Sequence, residues 1–86
     1  MEDSPLTFPC DYPLKVMGAH TEEFRRRMRE IVRAELGPDQ PLAASERSSS
    51  NGRFLSLTLT VRVESRDQLD GLYRTLHATG LVLMAL

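Results

Sequence analysis

Leu55-Ser56-Leu57-Thr58-Leu59-Thr60-Val61-Arg62-Val63 alternates apolar with polar side chains over its whole length. In an extended chain successive side chains point to opposite faces, so this stretch is a strand with one buried and one polar face. Its length and one-sided pattern make it a central strand, around which the other elements are placed. Just before it, Ser48-Ser49-Ser50-Asn51-Gly52 is turn chemistry, and Asn51-Gly52 is the sharpest hairpin signal in the chain. The hairpin leads back to a weakly patterned stretch, Leu42 to Ser48, polar enough for an edge strand.

Further upstream, Tyr12, Leu14 and Val16 alternate with Pro13, Lys15 and Met17, which predicts another strand, ended by Gly18. Pro13 has no backbone donor and is expected near the start of pairing. Thr21 is a suitable N-cap, with Glu22 and Glu23 in the first turn, where the helix dipole favours negative charge. Phe24, Met28, Ile31, Val32 and Leu36 follow at helical spacing. Gly37-Pro38 stops that helix, with Gly37 expected in the left-handed cap conformation. Downstream, Ser65 and Gln68 have the spacing of a capping box. A second amphipathic helix then carries Leu69, Leu72, Tyr73 and Leu76 and is closed by Gly80. Leu81 to Leu86 is a last strand, apolar on both sides. The order β-α-β-β-α-β, with right-handed crossovers, predicts an α+β ferredoxin-like sandwich: a four-stranded antiparallel sheet with two helices on one face. Residues 1–86 form one domain, with a loose lead-in over 1–9 and a core from about residue 10 onward.

Composition narrows the function classes. With a net charge of −1, the chain has no global attraction to nucleic acid or to an anionic membrane. A single cysteine, Cys10, excludes an internal disulfide and suits a reducing compartment. Met1 to Leu6 is acidic and polar, unlike a secretory signal, and the apolar run near the C-terminus is too short to span a bilayer. A cytoplasmic location is expected.

Catalytic signals are absent from the pattern. Cys10, His20 and His77 have no metal-ligand spacing. Cys10 and His20 flank the first strand, more than about 20 Å apart at strand rise, too far for a thiol–imidazole pair. The glycines form no phosphate-binding loop. No metal, cofactor or enzymatic activity is expected. Arg25-Arg26-Arg27, with Arg29 and Arg33, has Glu22 four residues before Arg26, Glu23 four before Arg27, and Glu30 near Arg26 and Arg33. Those spacings predict a solvated, ion-paired helix face rather than an anionic partner site.

Several strings resemble a known family. Phe8-Pro9 with Tyr12-Pro13-Leu14-Lys15-Val16-Met17-Gly18 resembles the opening of the YbeD-like bacterial family. Ser49-Ser50-Asn51-Gly52-Arg53-Phe54-Leu55-Ser56 is similar to its hairpin, with Phe54 in the aromatic position. Leu72-Tyr73 through Leu76 and Met84 to Leu86 resemble its last helix and strand. The resemblance runs from Phe8 nearly to the end. It implies a ferredoxin-like domain related in shape to ACT regulatory domains. Some members carry the label of lipoate regulatory proteins, drawn from genomic context. The first helix is richer in arginine, and the strand before the hairpin richer in alanine, than the family pattern.

Two binding functions follow. A regulatory domain, ACT-like, would hold a small metabolite beside Gly18, His20 and Thr21, where a helix N-terminus suits an anionic group. A protein adaptor would use the hairpin tip, Ser49, Ser50, Asn51, Gly52 and Arg53, together with the open sheet face, where Leu81, Leu83 and Ala85 are expected near Met17. A homodimer through those leucines belongs to the same reading. RNA binding is disfavoured, because the open-face positions Ser56, Thr58 and Thr60 provide no aromatic stacking platform.

Overall fold

The computed structural model describes residues 6–86, so the first part of the lead-in lies outside the described residues. The elements run β1 (Cys10–Ala19), α1 (Glu22–Leu36), β2 (Ala43–Ser48), β3 (Phe54–Val63), α2 (Arg66–Ala78) and β4 (Val82–Ala85). The strands form one antiparallel sheet in the order β2-β3-β1-β4, the ferredoxin-like α+β arrangement. At its centre β1 and β3 pair without interruption from Cys10↔Val63 to Ala19↔Phe54. Leu14 and Val16 of β1 and Leu55, Leu57, Leu59, Val61 and Val63 of β3 are buried on one face. Phe24, Met28, Ile31 and Val32 of α1 and Leu69, Leu72 and Leu76 of α2 complete the same core. Removing this much apolar area from water is the main stabilising term of the fold.

Both helices begin as their sequences predict. Thr21 Oγ1 accepts the Phe24 N–H at 3.1 Å, and Ser65 Oγ accepts the Gln68 N–H at 3.1 Å. The reciprocal half of the second cap is displaced by one residue: Gln68 Oε1 accepts from the Glu64 N–H, not from Ser65. Gly37 ends α1 at φ 128° and ψ 159°. This is a conformation open to glycine, but extended in ψ rather than left-handed helical. The Gly37 N–H donates to the Arg33 carbonyl.

Pro13 lies within the β1–β3 ladder, opposite Thr60, rather than at its start. Lys15 exchanges backbone hydrogen bonds with Leu86, so backbone groups at this parity face the β4 side of β1. The Pro13 nitrogen therefore points beyond the reach of β4, where no donor is required. Strand β1 also runs one residue past Gly18, to Ala19.

The largest departure is at β4. A continuous strand from Leu81 would place Leu81, Leu83 and Ala85 together on the open face. Instead the register shifts between Met17↔Met84 and Gly18↔Val82, leaving Leu83 as an extra residue. Leu81, Val82 and Ala85 pack against the core, while Leu83 is exposed. The open face receives Met84 and Leu86. Tyr73 fastens this end: its hydroxyl donates to the Leu86 carbonyl at 2.7 Å and therefore accepts from the Tyr12 hydroxyl at 3.0 Å. Partial burial and the Tyr12 bond push the Tyr73 phenol above its usual range.

Gly71 lies inside α2, and a methyl group there would meet only Arg74 Nη2, at 3.7 Å. With no close contact to defend, Gly71→Ala is expected to stabilise the protein by about 0.5–1 kcal/mol through helix propensity. A rise in the urea midpoint checks this. A fall would show that the glycine has a role that its surroundings do not reveal.

Candidate functional site

The loop between β1 and α1 and the tip of the β2–β3 hairpin meet at one end of the sheet. The His20 N–H donates to the Arg53 carbonyl at 3.0 Å, carrying the β1–β3 ladder one residue further. The ring of His20, half-buried, is held on both sides: Nδ1 lies 3.0 Å from the Gly52 carbonyl and Nε2 lies 3.0 Å from Arg25 Nη2. A guanidinium can only donate, so Nε2 is the acceptor and Nδ1 carries the proton to Gly52. Arg25 also grips Glu46 of β2 at 2.8 Å and Glu22 at 3.3 Å. Its hydrogen bonds hold the Glu46 carboxyl below the usual carboxylate range, and Glu46 in turn raises the guanidinium.

The hairpin is a five-residue loop, not a two-residue turn on Asn51-Gly52. The Gly52 N–H donates to the Ser49 carbonyl, and only Gly52, at φ 76°, takes a positive φ. Asn51 Oδ1 accepts from both the Arg53 N–H and the Ser49 hydroxyl, and Ser49 Oγ accepts the Phe54 N–H. The tip is thus rigid and its polar atoms are largely used internally. Ser50, Asn51 and Arg53 are exposed.

These contacts redistribute the residues singled out in the sequence. His20, Gly52 and Arg53 come together, so the metabolite-site residues and the hairpin residues form one locus. The Thr21 hydroxyl is occupied as the α1 cap. Gly18 is buried on the core side. A Cβ there would fall 2.6 Å from the Leu81 carbonyl oxygen and collide with the Phe24 ring. Gly18 is therefore a close-packing glycine with no open approach for a ligand, and Leu81 is its lid rather than an open-face residue.

The open face divides into two halves. One row across the sheet reads Ser45, Thr58, Lys15 and Leu86, and the next reads Arg47, Ser56, Met17 and Met84. Phe54 and Ala19 lie beyond them. The β1–β4 half is apolar, with Leu86 65% and Met84 53% exposed, and Phe54 of β3, 39% exposed, continues it at the hairpin end. Met17, Met84, Leu86, Lys15 and Ser56 border a shallow depression of about 110 Å³. The β2–β3 half is polar. Farther along, Asp11 and Arg62 pair at 3.1 Å.

The two sheet edges also differ. Strand β2 is exposed throughout and carries Glu46 and Arg47, whereas β4, Val-Leu-Met-Ala, has no charged residue. On α1, the ion pairs are Arg25–Glu22, Arg26–Glu30 and Arg27–Glu30; the expected Glu22–Arg26, Glu23–Arg27 and Glu30–Arg33 pairs do not form. Arg33 instead donates to the Gln40 carbonyl. Among the described residues, no group of three or more His, Cys, Asp or Glu is placed to hold a metal ion. None of the described helices is long and apolar enough to cross a membrane.

A family model described as "Protein of unknown function (DUF493)" matches residues 3–86. A UPF0250 protein of Nitrosomonas europaea is 40% identical over 85 residues, covering 99% of this chain and 98% of the relative. The chain belongs to the DUF493/UPF0250 family. A second UPF0250 relative, from Bordetella pertussis, is 42% identical over 86 residues, covering 99% of this chain and 93% of its own. The YbeD-like resemblance carried by Lys15-Val16-Met17-Gly18 and the Ser49–Gly52 hairpin points to this same family. The solution structure of protein HP0495 from H. pylori matches with a TM-score of 0.72 at 14% identity, covering 99% of this chain and 89% of that one. At that identity it supports the fold alone.

One DUF493/UPF0250 residue important to this architecture is silent in the sequence pattern. Gln40 is the buried polar side chain among the described residues. Its Oε1 accepts the Arg62 N–H at 3.0 Å, beyond the end of β2, and its carbonyl accepts from Arg33. Nothing in the local spacing of Gly37-Pro38-Asp39-Gln40 signals this; only the meeting of the loop with β3 creates it.

Two outcomes test the locus. Gly18→Ala is expected to cost about 1–3 kcal/mol through overpacking, read as a lowered urea midpoint; an unchanged midpoint would mean that Phe24 and Leu81 yield freely. For Glu46, a depressed carboxyl adds stability that is present above the ordinary carboxylate range and is lost as pH falls through the depressed value. Glu46→Gln should therefore remove part of the acid-induced loss of amide protection at Gly52 and Arg53. If hydrogen exchange at these amides responds to acid equally in both proteins, the Arg25–Glu46 tie does not restrain the hairpin.

Proposed function

We propose that this DUF493/UPF0250 protein is a non-enzymatic interaction domain whose open sheet face, at its β1–β4 half, binds a segment of another protein. The carrying observation is the apolar patch of Met17, Met84, Leu86 and Phe54, set on a rigid sheet with Lys15 beside it. A patch of this kind on a small domain, where apolar residues are scarce, is a feature of binding surfaces. Lys15 matches a partner segment that carries an acidic residue next to its apolar anchors. The anchored hairpin, adjoining Phe54, extends the same surface with exposed Arg53 and Ser50.

The adaptor reading is favoured over an ACT-like metabolite site at Gly18, His20 and Thr21 because the groups that would bind there are engaged. Gly18 is covered, both nitrogens of His20 have partners, and the Thr21 hydroxyl caps α1. The absence of a nucleophile–base pair in the sequence pattern supports a binding role over a catalytic one.

Affinity capture from cells, compared across three forms of the protein, tests this. A partner retained by wild type and by the helix-face control Arg26→Ala should be lost with Met84→Asp, while Arg53→Glu weakens it. Capture that is indifferent to Met84→Asp would sink the assignment of this surface.

A further inference from the structure

We propose that the polar half of the open sheet face is a binding site for the phosphate group of a small phosphate ester. A depression of about 290 Å³ there is lined by Lys15, Ser45, Glu46, Arg47, Ser56 and Thr58. Arg47 leaves from β2 and Lys15 from β1, one on each side of β3, and the hydroxyls of Ser56 and Thr58 lie between them. With strands about 4.8 Å apart and the two residues one row apart along β3, the two cations start roughly 12 Å from one another. Both side chains are long enough to converge above β3.

The donor set selects the class of ligand. The guanidinium is a planar fork that engages two oxygens at once, whereas the ammonium acts as a compact point charge. Three hydroxyls remain to donate to further oxygens. A terminal phosphate offers three oxygens and up to two negative charges and uses this set fully. A carboxylate, with two oxygens and a single charge, balances only one of the two cations. The volume is at the low end for small-molecule sites, so the ligand is small.

Most of the other arginines near the sheet and on α1 are already committed. Arg29 is excepted: like Lys15 and Arg47 it has no ion pair among the described residues, but it lies on the helix, away from this depression. Arg25, Arg26, Arg27 and Arg62 are ion-paired, and Arg33 donates to Gln40. Lys15 and Arg47 form no ion pair with any described residue. Glu46 would offset their charge if it turned toward them. It is paired in register with core-facing Leu57, however, so it leaves β2 on the helix side, where Arg25 holds its carboxylate. Asp11, the carboxylate on the open face of β1, is held by Arg62. The local field over Ser56 and Thr58 is therefore positive, although the whole chain is slightly acidic. The phosphate site shares Lys15 and Ser56 with the depression on the β1–β4 half, but a titration with phosphate alone needs no protein partner and so tests it separately.

The test is a two-dimensional NMR titration of the full chain with inorganic phosphate, with ionic strength held constant by sodium chloride and acetate as a second titrant. Saturable shifts confined to Lys15, Ser45, Arg47, Ser56 and Thr58, weaker with acetate, are the expected result. Lys15→Ala and Arg47→Ala should each weaken phosphate binding about tenfold, the loss of one charge-assisted contact. Arg26→Ala should leave it unchanged. All three positions are at the surface, so the spectra should remain those of a folded protein. Shifts that grow linearly with phosphate, spread over α1, or persist undiminished in Lys15→Ala and Arg47→Ala would overturn the site.

Discussion

Everything in this molecule depends on the register between β1 and β3. Ten consecutive pairs place every apolar residue of β3 except Phe54, with Leu14 and Val16 of β1, on one side of the sheet. A slip of one position would turn Leu55, Leu57, Leu59, Val61 and Val63 out to water and bring Ser56, Thr58, Thr60 and Arg62 under the helices. Full burial of a leucine or valine is worth about 1.5–3 kcal/mol, and a domain of this size is stable by only about 5–15 kcal/mol. No alternative pairing could survive that exchange. The helices, the hairpin and the short β4 take their places relative to this pair.

The same register divides the chemistry of the protein. Residues on the core side include two polar outliers at the sheet margins, Glu46 and Gln40, and both are taken up by arginines of α1 or by backbone groups. Arg25 is the hub: one guanidinium joins β2, the turn before α1 and, through His20, the hairpin. Polar side chains on the other face have fewer internal ties. The surface most accessible to another molecule is therefore the one that the fold itself uses least.

Fold class was legible because its determinants are local. Alternation marks β1 and β3, i to i+4 spacing marks the helices, and Thr21, Ser65 and Gly80 punctuate them within a few residues. Legibility failed where a residue's role is set by distant chain. The face of β4 is not legible because parity counted from Leu81 assumes an unbroken strand, and the bulge at Leu83 reverses it. Gly18 reads as a loop glycine beside a helix N-terminus; the Phe24 ring and Leu81 carbonyl that close over it arrive from two other elements. Arg25 looked like one of several solvated arginines, since its main partner, Glu46, is 21 residues away. Lys15 and Arg47 carry no signal of their own, and only the pairing of both strands with β3 brings them to one depression.

The contrast between the two sheet edges limits how this protein can associate with itself. An edge strand that is exposed, polar and charged, as β2 is, discourages another strand from adding to it, whereas an uncharged apolar edge such as β4 does not. Strand addition is then available on one side only. Two copies meeting through β4 would leave a charged β2 at each outer margin, with no apolar edge for a third. Growth by edge pairing is self-terminating, so a closed two-fold pair, and not an open-ended fibre, is its natural limit.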